Sequence, residues 1–263
     1  SKLKNKIFLK KSIYSPIRKC SYPFISGDTF LSISDCFIIK GKSSPGIISH
    51  NEKKQKIFIE NDLLSEGWVR EYAKDFKIVI LHNGDKVPKM KYLKELIDKK
   101  IYIFGTNIKT LNQYIKPIPI GIENAHHEKN GNLDYYNPVK MSDRNEEKKN
   151  LILASFSVNT KVRKEYEKIL QKYNVENKFN LSLDIFRTKL NNSYFTISPP
   201  GNGLDCHRTW EALYHKSIPV IERKYHLFSH IDLPILVVDK LEEFLNYSNE
   251  KKLNLYKCLT NKY

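Results

Sequence analysis

Short apolar segments alternate with amphipathic segments along almost the whole chain, and this alternation constrains the fold more than any other feature of the sequence. A short apolar run bounded by turn residues is typical of a buried strand, whereas apolar residues three or four positions apart predict a helix. Alternating strands and helices predict βαβ units with mainly parallel sheets, so we expect an α/β fold. The predicted strands are 35–39, 57–60, 77–81, 101–104, 151–156, 194–198, 217–222 and 234–239, and the predicted helices are 63–74, 90–99, 160–173, 184–190 and 204–216.

The alternation is interrupted at 125–149, where the sequence is polar, contains Gly and Pro, and carries a mixed run of charges. This composition predicts a linker or a long surface loop. We therefore expect an N-terminal Rossmann-like domain over 1–130, a linker over 131–149 and a C-terminal Rossmann-like domain over 150–250. Residues 251–263 are expected to form a tail, for which packing against the first domain is one option.

The composition limits the compartment and the class of partner. No apolar run is long enough to span a bilayer, and the basic N-terminus lacks the apolar segment of a signal peptide, so we expect a cytoplasmic protein. The four scattered cysteines favour reduced thiols. The formal net charge is +16, but the lysines are spread along the chain. This spread argues against specific nucleic-acid binding and leaves peripheral contact with an anionic membrane open.

The segment 194–222 contains the most informative motif of the chain. It is predicted to run from a strand through a Gly-rich turn into a helix and then into a second strand. Gly201 and Gly203 allow the backbone to approach a ligand closely, and the N-terminus of the next helix favours a phosphate group. Asp205 is the expected N-cap residue of that helix.

The predicted helix 204–216 has two different faces. Trp210, Leu213 and Tyr214 are spaced to face the core, whereas a polar set that includes Arg208 and Glu211 lies on the other side. Arg208 can neutralise a diphosphate leaving group, and Glu211 can accept hydrogen bonds from ribose hydroxyls. The alternative is a surface ion pair beside an ordinary turn, because a short Gly motif is a weak signal. The polar set is His207, Arg208, Glu211 and His215.

This block, SPPGNGLDCHRTWEALYHKSIPVIE, resembles the signature of exostosin-like glycosyltransferases: Ser-Pro, Gly-Asn-Gly, and His-Arg-x-x-Glu-Ala-Leu before an Ile-Pro-Val strand. Segments at 24–35, 81–85, 117–124 and 155–160 are also similar to bacterial members of the family, so the resemblance covers most of the chain. It implies a GT-B fold, in which two Rossmann-like domains with mainly parallel sheets face a central cleft. It further implies an N-terminal acceptor domain, a C-terminal nucleotide-sugar domain, and an inverting transfer that is independent of a metal ion.

The predicted donor site combines this block with the turn SFSVNT at 155–160 and the helix that follows it. In that turn, Ser157 and its neighbours are expected both to cap the helix and to line the donor diphosphate. Pro200 stands where related sequences often have Arg, and Arg163 is a candidate to supply the missing phosphate contact. Lys216 stands where Gly is usual. The predicted donor-site residues are Asn159, Thr160, Arg163, Ser198, Gly201, Asn202, Gly203, His207, Arg208 and Glu211.

An inverting transfer needs a base that removes the proton of the acceptor hydroxyl. Asp28, in a short polar turn, is the first candidate, and His82 and Asp85, after the strand 77–81, are the next two. Glu123 is a further option. For each aspartate the alternative role is capping of a helix or turn.

The sequence therefore predicts a glycosyltransferase that moves a sugar from a nucleotide-sugar donor to a glycan or lipid-linked glycan acceptor, as in lipopolysaccharide or capsule synthesis. No cofactor and no metal ion are expected, because the chain contains no Asp-x-Asp pair and the adjacent His126 and His127 are of a kind that is usually solvated. The alternatives are a catalytically degenerate nucleotide or glycan binder of the same fold and a transferase with a non-diphosphate donor. A basic nucleic-acid binder is the least favoured interpretation.

Overall fold

The computed structural model describes residues 20–40, 46–49, 55–125, 127, 130–136 and 148–262. Within this part of the chain, two compact units are formed. The first contains the described residues up to Ile120 together with 124–125, and the second contains Gly121–Glu123 and the described residues from His127 onward. The chain is thus α/β with two separate sheets, as the alternation predicts.

The sheet of the first unit has the strand order β2-β1-β3-β4-β5-β6 in the described part of the chain. Strand β2 is antiparallel to β1, and the other neighbours pair in parallel. The strands and helices are β1 (Cys36–Ile39), β2 (Gly46–Ser49), β3 (Lys56–Glu60), β4 (Ile78–His82), β5 (Tyr102–Gly105), β6 (Ile115–Pro117), α1 (Gly27–Ser32), α2 (Gly67–Ala73) and α3 (Met90–Ile97).

Side chains from alternate strand positions build two apolar layers in this unit. Ile38, Ile59 and Leu81 belong to the layer that also contains residues of α2 and α3. Phe58 and Ile80 belong to the other layer, which includes Leu31 of α1. The near-continuous apolar sequence of β4 follows from burial on both faces of the sheet.

The sheet of the second unit has the order β10-β9-β8-β7, and all neighbours are parallel. One apolar layer joins the sheet to α4, α7 and α8, and the other joins it to α5 and α6. The elements are β7 (Asn150–Ala154), β8 (Ser193–Ile197), β9 (Ile218–Glu222), β10 (Leu236–Val238), α4 (Lys161–Lys172), α5 (Leu183–Asn191), α6 (His207–Tyr214), α7 (Leu241–Asn246) and α8 (Asn249–Thr260).

Apart from the antiparallel strand β2, which lies at the edge next to β1, the described strands follow one another in chain order across each sheet. Neither order contains, within the described residues, the reversal that marks the switch point of a doubly wound sheet. The carboxyl ends of parallel strands nevertheless share one edge of each sheet. The Gly-rich turn after β8 and the turn after β7 therefore lie at the same edge of the second sheet.

Several predicted boundaries differ from the structure. The helix predicted at 63–74 is a 3-10 turn, Asn61–Ser65, followed by α2, because Glu66 between them has an extended backbone. Part of the predicted linker forms another 3-10 turn, Leu133–Tyr136, within the second unit. The C-terminal residues form α8, whose Leu255 and Tyr256 pack against the core of the second unit. Residues 137–147 of the predicted linker lie outside the described part of the chain.

Among the described helices, none combines the length and the apolar character that crossing a membrane requires.

Candidate functional site

A cavity of about 350 Å³ lies in the second unit, next to the first turn of α6. Its walls differ in chemistry, with basic side chains from α4 and α6 and apolar side chains from the segment before α5 and from α5 itself. The lining residues are Glu123, Asn130, Ser155, Phe156, Ser157, Arg163, Phe179, Asn180, Leu181, Leu183, Phe186, Cys206, His207, Arg208 and Glu211.

Arg163, in the first turn of α4, is held at the cavity although it is only 8% exposed. Its Nε donates to the carbonyl oxygen of Pro200 at 3.0 Å, and its Nη1 lies 3.2 Å from Ser157 Oγ. Burial, and then the charge of Arg208, lower the pKa of Arg163. Both of these partners are neutral. Among the described residues, no carboxylate forms an ion pair with this guanidinium.

Arg208, in the first turn of α6, is the second basic group of the cavity. Its Nε donates to the carbonyl oxygen of Ser155 at 2.7 Å, which fixes the guanidinium at the end of β7. Its Nη1 is buried and has no hydrogen-bond partner among the described residues. A buried donor without a partner costs free energy, which an anion in the cavity would recover.

The Gly-rich turn after β8 has a specific steric requirement at Gly201. A Cβ atom built on Gly201 would lie 2.9 Å from Nη2 of Arg163, so only glycine lets this guanidinium cross the turn in its present position. Asn202 is exposed and Gly203 is buried in the same turn. Gly201 therefore contributes by leaving room for Arg163.

Asp205 is not the N-cap of α6, contrary to the prediction, because Cys206 occupies that position. The carboxylate of Asp205 instead accepts from Trp210 Nε1, at 3.0 and 2.9 Å for its two oxygens. It also accepts the backbone N–H of Cys206 at 2.9 Å. Asp205 thus fixes the start of α6 to a buried indole and does not line the cavity.

Glu211, one turn further along α6, is 9% exposed and lines the cavity. Its Oε1 accepts a hydrogen bond from Tyr136 Oη at 3.2 Å. Burial, and then the charge of Glu211, raise the pKa of Tyr136 well above its ordinary value. Tyr136 is therefore a protonated donor that holds one carboxylate oxygen of Glu211.

The polar side of α6 is more buried than the helical spacing indicated. Trp210 is buried as predicted, but Leu213 and Tyr214 are only half-buried, whereas His215 is buried and lies 2.6 Å from Asn191 Oδ1 through its Nδ1. Packing by α5 and by the turn at 133–136 covers this side of the helix.

The segment 130–136 contacts α5 through residues that the sequence analysis did not identify. The buried Arg187 guanidinium lies 3.5 Å from the centroid of the Tyr135 ring, and its Nη2 donates to the carbonyl oxygen of Asn130 at 3.3 Å. These contacts place Tyr136 against Glu211. The only signal in the sequence was an aromatic pair in an otherwise polar stretch.

His207 and Glu123 form a pair at another part of the cavity wall. Nδ1 of His207 lies 2.7 Å from the carbonyl oxygen of Gly121, which can only accept, so this nitrogen carries the proton. Nε2 of the same ring lies 3.5 Å from Glu123 Oε2. His127 Nε2 lies 3.8 Å from the other oxygen of Glu123. The carboxylate of Glu123 is thus held between two imidazoles.

The other predicted donor-site residues support the frame of the site. Thr160 is the N-cap of α4 and accepts the backbone N–H of Arg163 at 3.2 Å. Asn159 Oδ1 lies 3.4 Å from Arg163 Nη1. The buried Ser198 Oγ lies 2.8 Å from Thr209 Oγ1, which joins the end of β8 to α6. In the SFSVNT turn, Thr160 caps the helix as expected and Ser157 lines the cavity, whereas Asn159 and Thr160 are not among the lining residues.

Two of the three predicted bases, Asp28 and His82, are buried, and both make hydrogen bonds. Asp28 lies in the first turn of α1, where its Oδ2 accepts the backbone N–H of Ala125 at 2.8 Å. Nε2 of His82 lies 3.1 Å from the carbonyl oxygen of Pro119, while its Nδ1 accepts the N–H of Asn83 at 2.8 Å. Both side chains thus form hydrogen bonds to backbone groups.

Asp85 is exposed on the loop after β4. Two buried amides hold this loop in place. Asn61 Nδ2 donates to the carbonyl oxygen of Lys86 at 2.6 Å, and Asn107 Nδ2 donates to that of Gly84 at 3.1 Å. Of the three predicted bases, Asp85 is the exposed one.

No group of three or more His, Cys, Asp and Glu side chains is arranged to hold a metal ion in the part of the chain that the structure describes. His126 lies outside that part.

No protein-family model matches the chain, and no similar sequence was found among curated proteins.

Proposed function

We propose that the protein is a glycosyltransferase that transfers a sugar from a nucleotide-sugar donor to a glycan or lipid-linked glycan acceptor. The donor diphosphate would occupy the cavity of the second unit. The exostosin-like signature at 198–222 and the two parallel sheets support this proposal and, with it, a GT-B arrangement. The observation that carries it is the placement of Arg163 and Arg208, two basic groups without a carboxylate partner among the described residues, in one cavity with Glu211.

The cavity groups match the parts of a nucleoside diphosphate. Arg163 and Arg208 offer guanidinium donors to the phosphates, since each is fixed by a backbone carbonyl and needs no reorganisation. Related sequences often have Arg at position 200, where this chain has Pro. Arg163, which contacts Pro200, would supply the positive charge in its place. Glu211 offers a carboxylate to ribose hydroxyls while Tyr136 holds its other side.

In the proposed transfer, the acceptor oxygen bonds to the anomeric carbon as the bond from that carbon to the diphosphate oxygen breaks. The diphosphate leaves with the bonding electron pair, and Arg163 and Arg208 stabilise the negative charge that develops on it. In other transferases a divalent ion stabilises the leaving diphosphate, and here the two guanidinium groups would take that role. We therefore propose metal-independent, inverting chemistry.

The acceptor proton needs a base, and Glu123 fits best because its carboxylate lines the cavity between two histidines. Asp85 is the second choice, since it is exposed. Asp28 and His82 rank lower because they are buried and bond to backbone groups.

We further propose a surface glycan as the acceptor and a cytoplasmic site of action. The basic chain would be in peripheral contact with an anionic membrane and would have no nucleic-acid partner.

The test is a thermal-shift series with UDP, GDP, CMP, dTDP and ADP, each with and without EDTA, and with single-stranded DNA as a control. We expect one nucleoside diphosphate to raise the Tm, with no effect of EDTA, because a ligand that binds only the folded state stabilises it.

Arg208→Ala should raise the Kd of that nucleoside diphosphate by about tenfold or more. Arg223→Ala is the matched control, since Arg223 is an exposed arginine of the same unit that pairs with Asp239.

Each other result points to a different function. Stabilisation by CMP alone would indicate a nucleoside monophosphate donor, and nucleotide binding without donor hydrolysis or transfer would indicate a degenerate binder. A response to DNA with none to any nucleotide would contradict the proposal.

A further inference from the structure

We propose that Phe179 forms the nucleobase subsite of the cavity, by stacking on the base of the bound nucleotide. This inference rests on the proposed function, since it requires a nucleotide ligand. Neither the Gly-rich signature nor the helical spacing points to this residue.

Phe179 lines the cavity, yet 54% of the residue is exposed. A phenylalanine ring with this exposure loses the free energy that burial would provide. Scattered apolar residues on a convex surface are common, but an exposed aromatic ring on the wall of a concave site is typical of ligand binding. A flat aromatic ligand would cover the ring.

The backbone before Phe179 is firmly held at the end of β7. The side chain of Asn177 bonds to both backbone groups of Phe156, with its Oδ1 accepting at 3.0 Å and its Nδ2 donating at 2.9 Å. Its Nδ2 also lies 2.8 Å from a carboxylate oxygen of Glu167. These bonds fix the position from which the Phe179 side chain projects.

Lys178 adds a second attachment through its backbone. Its N–H donates to the carbonyl oxygen of Ala154 at 2.8 Å, and its carbonyl oxygen accepts from Ser155 Oγ at 2.8 Å. After Phe179, Asn180 adopts a φ of 60°, which turns the chain toward the N-cap of α5 at Ser182. A base would therefore meet a ring on a fixed backbone, which lowers the entropic cost of binding.

The neighbours of Phe179 give this wall an apolar character. Leu181 and Leu183 continue the wall along the chain, and Phe186 of α5 adds a second ring. The basic groups of the cavity, Arg163 and Arg208, come from other segments. A nucleotide has the same division, with anionic phosphates and a flat, largely apolar base, so the base is the part that fits the Phe179 wall.

A sugar ring could also stack on an aromatic side chain, and the experiment separates the two cases. Isothermal titration of the full chain would compare three probes: inorganic pyrophosphate, the nucleoside diphosphate with the largest thermal shift, and the corresponding nucleotide-sugar. The variants are Phe179→Ala and Phe179→Trp. The control is Ile185→Ala, which removes an exposed apolar side chain from α5.

We expect Phe179→Ala to raise the Kd of the nucleoside diphosphate and of the nucleotide-sugar by about tenfold, since stacking of one base contributes on that scale. The Kd of pyrophosphate should not change, because it has no base. Phe179→Trp should keep the wild-type affinity, and Ile185→Ala should behave as wild type.

Unchanged nucleoside diphosphate affinity in Phe179→Ala would overturn the base subsite while the proposed function stands. A loss confined to the nucleotide-sugar would also overturn it, in favour of sugar stacking. An equal loss for pyrophosphate would mean that the substitution disrupts the whole cavity, which contradicts a base-specific role. Failure of every nucleotide to bind the wild-type chain would overturn the proposed function itself, and this subsite with it.

Discussion

Lys216 follows the C-cap of α6, His215, and has a φ of 54°, in the left-handed region that glycine adopts without steric cost. The resemblance had marked this position as one where glycine is usual, and the backbone conformation gives the reason. We expect Lys216→Gly to raise the free energy of unfolding by about 0.5–1 kcal/mol, because it removes the Cβ contact that disfavours this conformation. Denaturant unfolding of the variant would measure the change.

Lys216→Ala is the matched control for this prediction. It removes the same charge but keeps a Cβ atom, so it should not stabilise the fold. If alanine stabilised the protein as much as glycine, the effect would come from the charge rather than from the backbone.

Gly201 is constrained by a neighbouring side chain rather than by its own backbone. Gly201→Ala would place a Cβ 2.9 Å from Arg163 Nη2, so the guanidinium must move. We expect weaker binding of pyrophosphate, by about tenfold, with little loss of stability, since the contact atom ends a flexible side chain. Gly67→Ala, whose Cβ would have its nearest neighbour at 4.0 Å, is the control. Wild-type affinity in Gly201→Ala would contradict this role.

Among the short elements, α1 is attached to the segment 124–125 of the first unit by Asp28, which accepts the N–H of Ala125 and is only 1% exposed. Asp28→Ala leaves this partly buried N–H without its partner. We expect the free energy of unfolding to fall by about 1–3 kcal/mol in denaturant titrations. Asp85→Ala, on the exposed loop, should leave stability unchanged.

The same pair of variants also bears on catalysis. Loss of turnover in Asp85→Ala with the fold intact would assign the base to Asp85 and displace Glu123. Full stability in Asp28→Ala would show that the Ala125 contact is not structural and would restore Asp28 as a candidate base.

The long elements were predictable because a periodic apolar pattern covers several turns or a whole strand. The helix predicted at 160–173 is Lys161–Lys172, and the strand predicted at 77–81 is Ile78–His82. The short elements α1 and β2 were not predicted, because four to six residues carry too little periodicity. The prediction of Asp205 as the N-cap of α6 was wrong, because the carboxylate of Asp205 accepts from the buried indole of Trp210 instead.

The site was predictable where the residues that line the cavity belong to one local sequence motif. Arg208 and Glu211 lie within one helical turn, and both line the cavity. Phe179, which lines the cavity, and Tyr136, which bonds to Glu211, were missed because each lies in a polar segment whose position is fixed by tertiary contacts. Those contacts, such as the bonds of Asn177 to Phe156, join residues too far apart in the sequence for a local pattern to show them.

At the scale of the whole molecule, each unit has its own sheet and its own apolar layers. All residues that line the cavity belong to the second unit. We therefore expect a truncated chain that starts at Gly121 to fold and to bind nucleotide with the Kd of the full chain. Circular dichroism and isothermal titration would measure both properties.

Arg208→Ala in the truncated chain provides the control, and it should weaken binding as it does in the full chain. A truncated chain that folds but binds nucleotide more than tenfold more weakly would show that the first unit contributes to the site.

The stretch 121–125 divides between the units within a few residues. Glu123 faces His207 in the second unit, whereas Asn124 Oδ1 accepts the backbone N–H of Asp28 in the first, at 2.9 Å. No single junction can give both units all of their own residues. An engineer who wishes to exchange one unit for that of another protein must therefore transplant this stretch with its partners from both sides, or redesign one set of contacts.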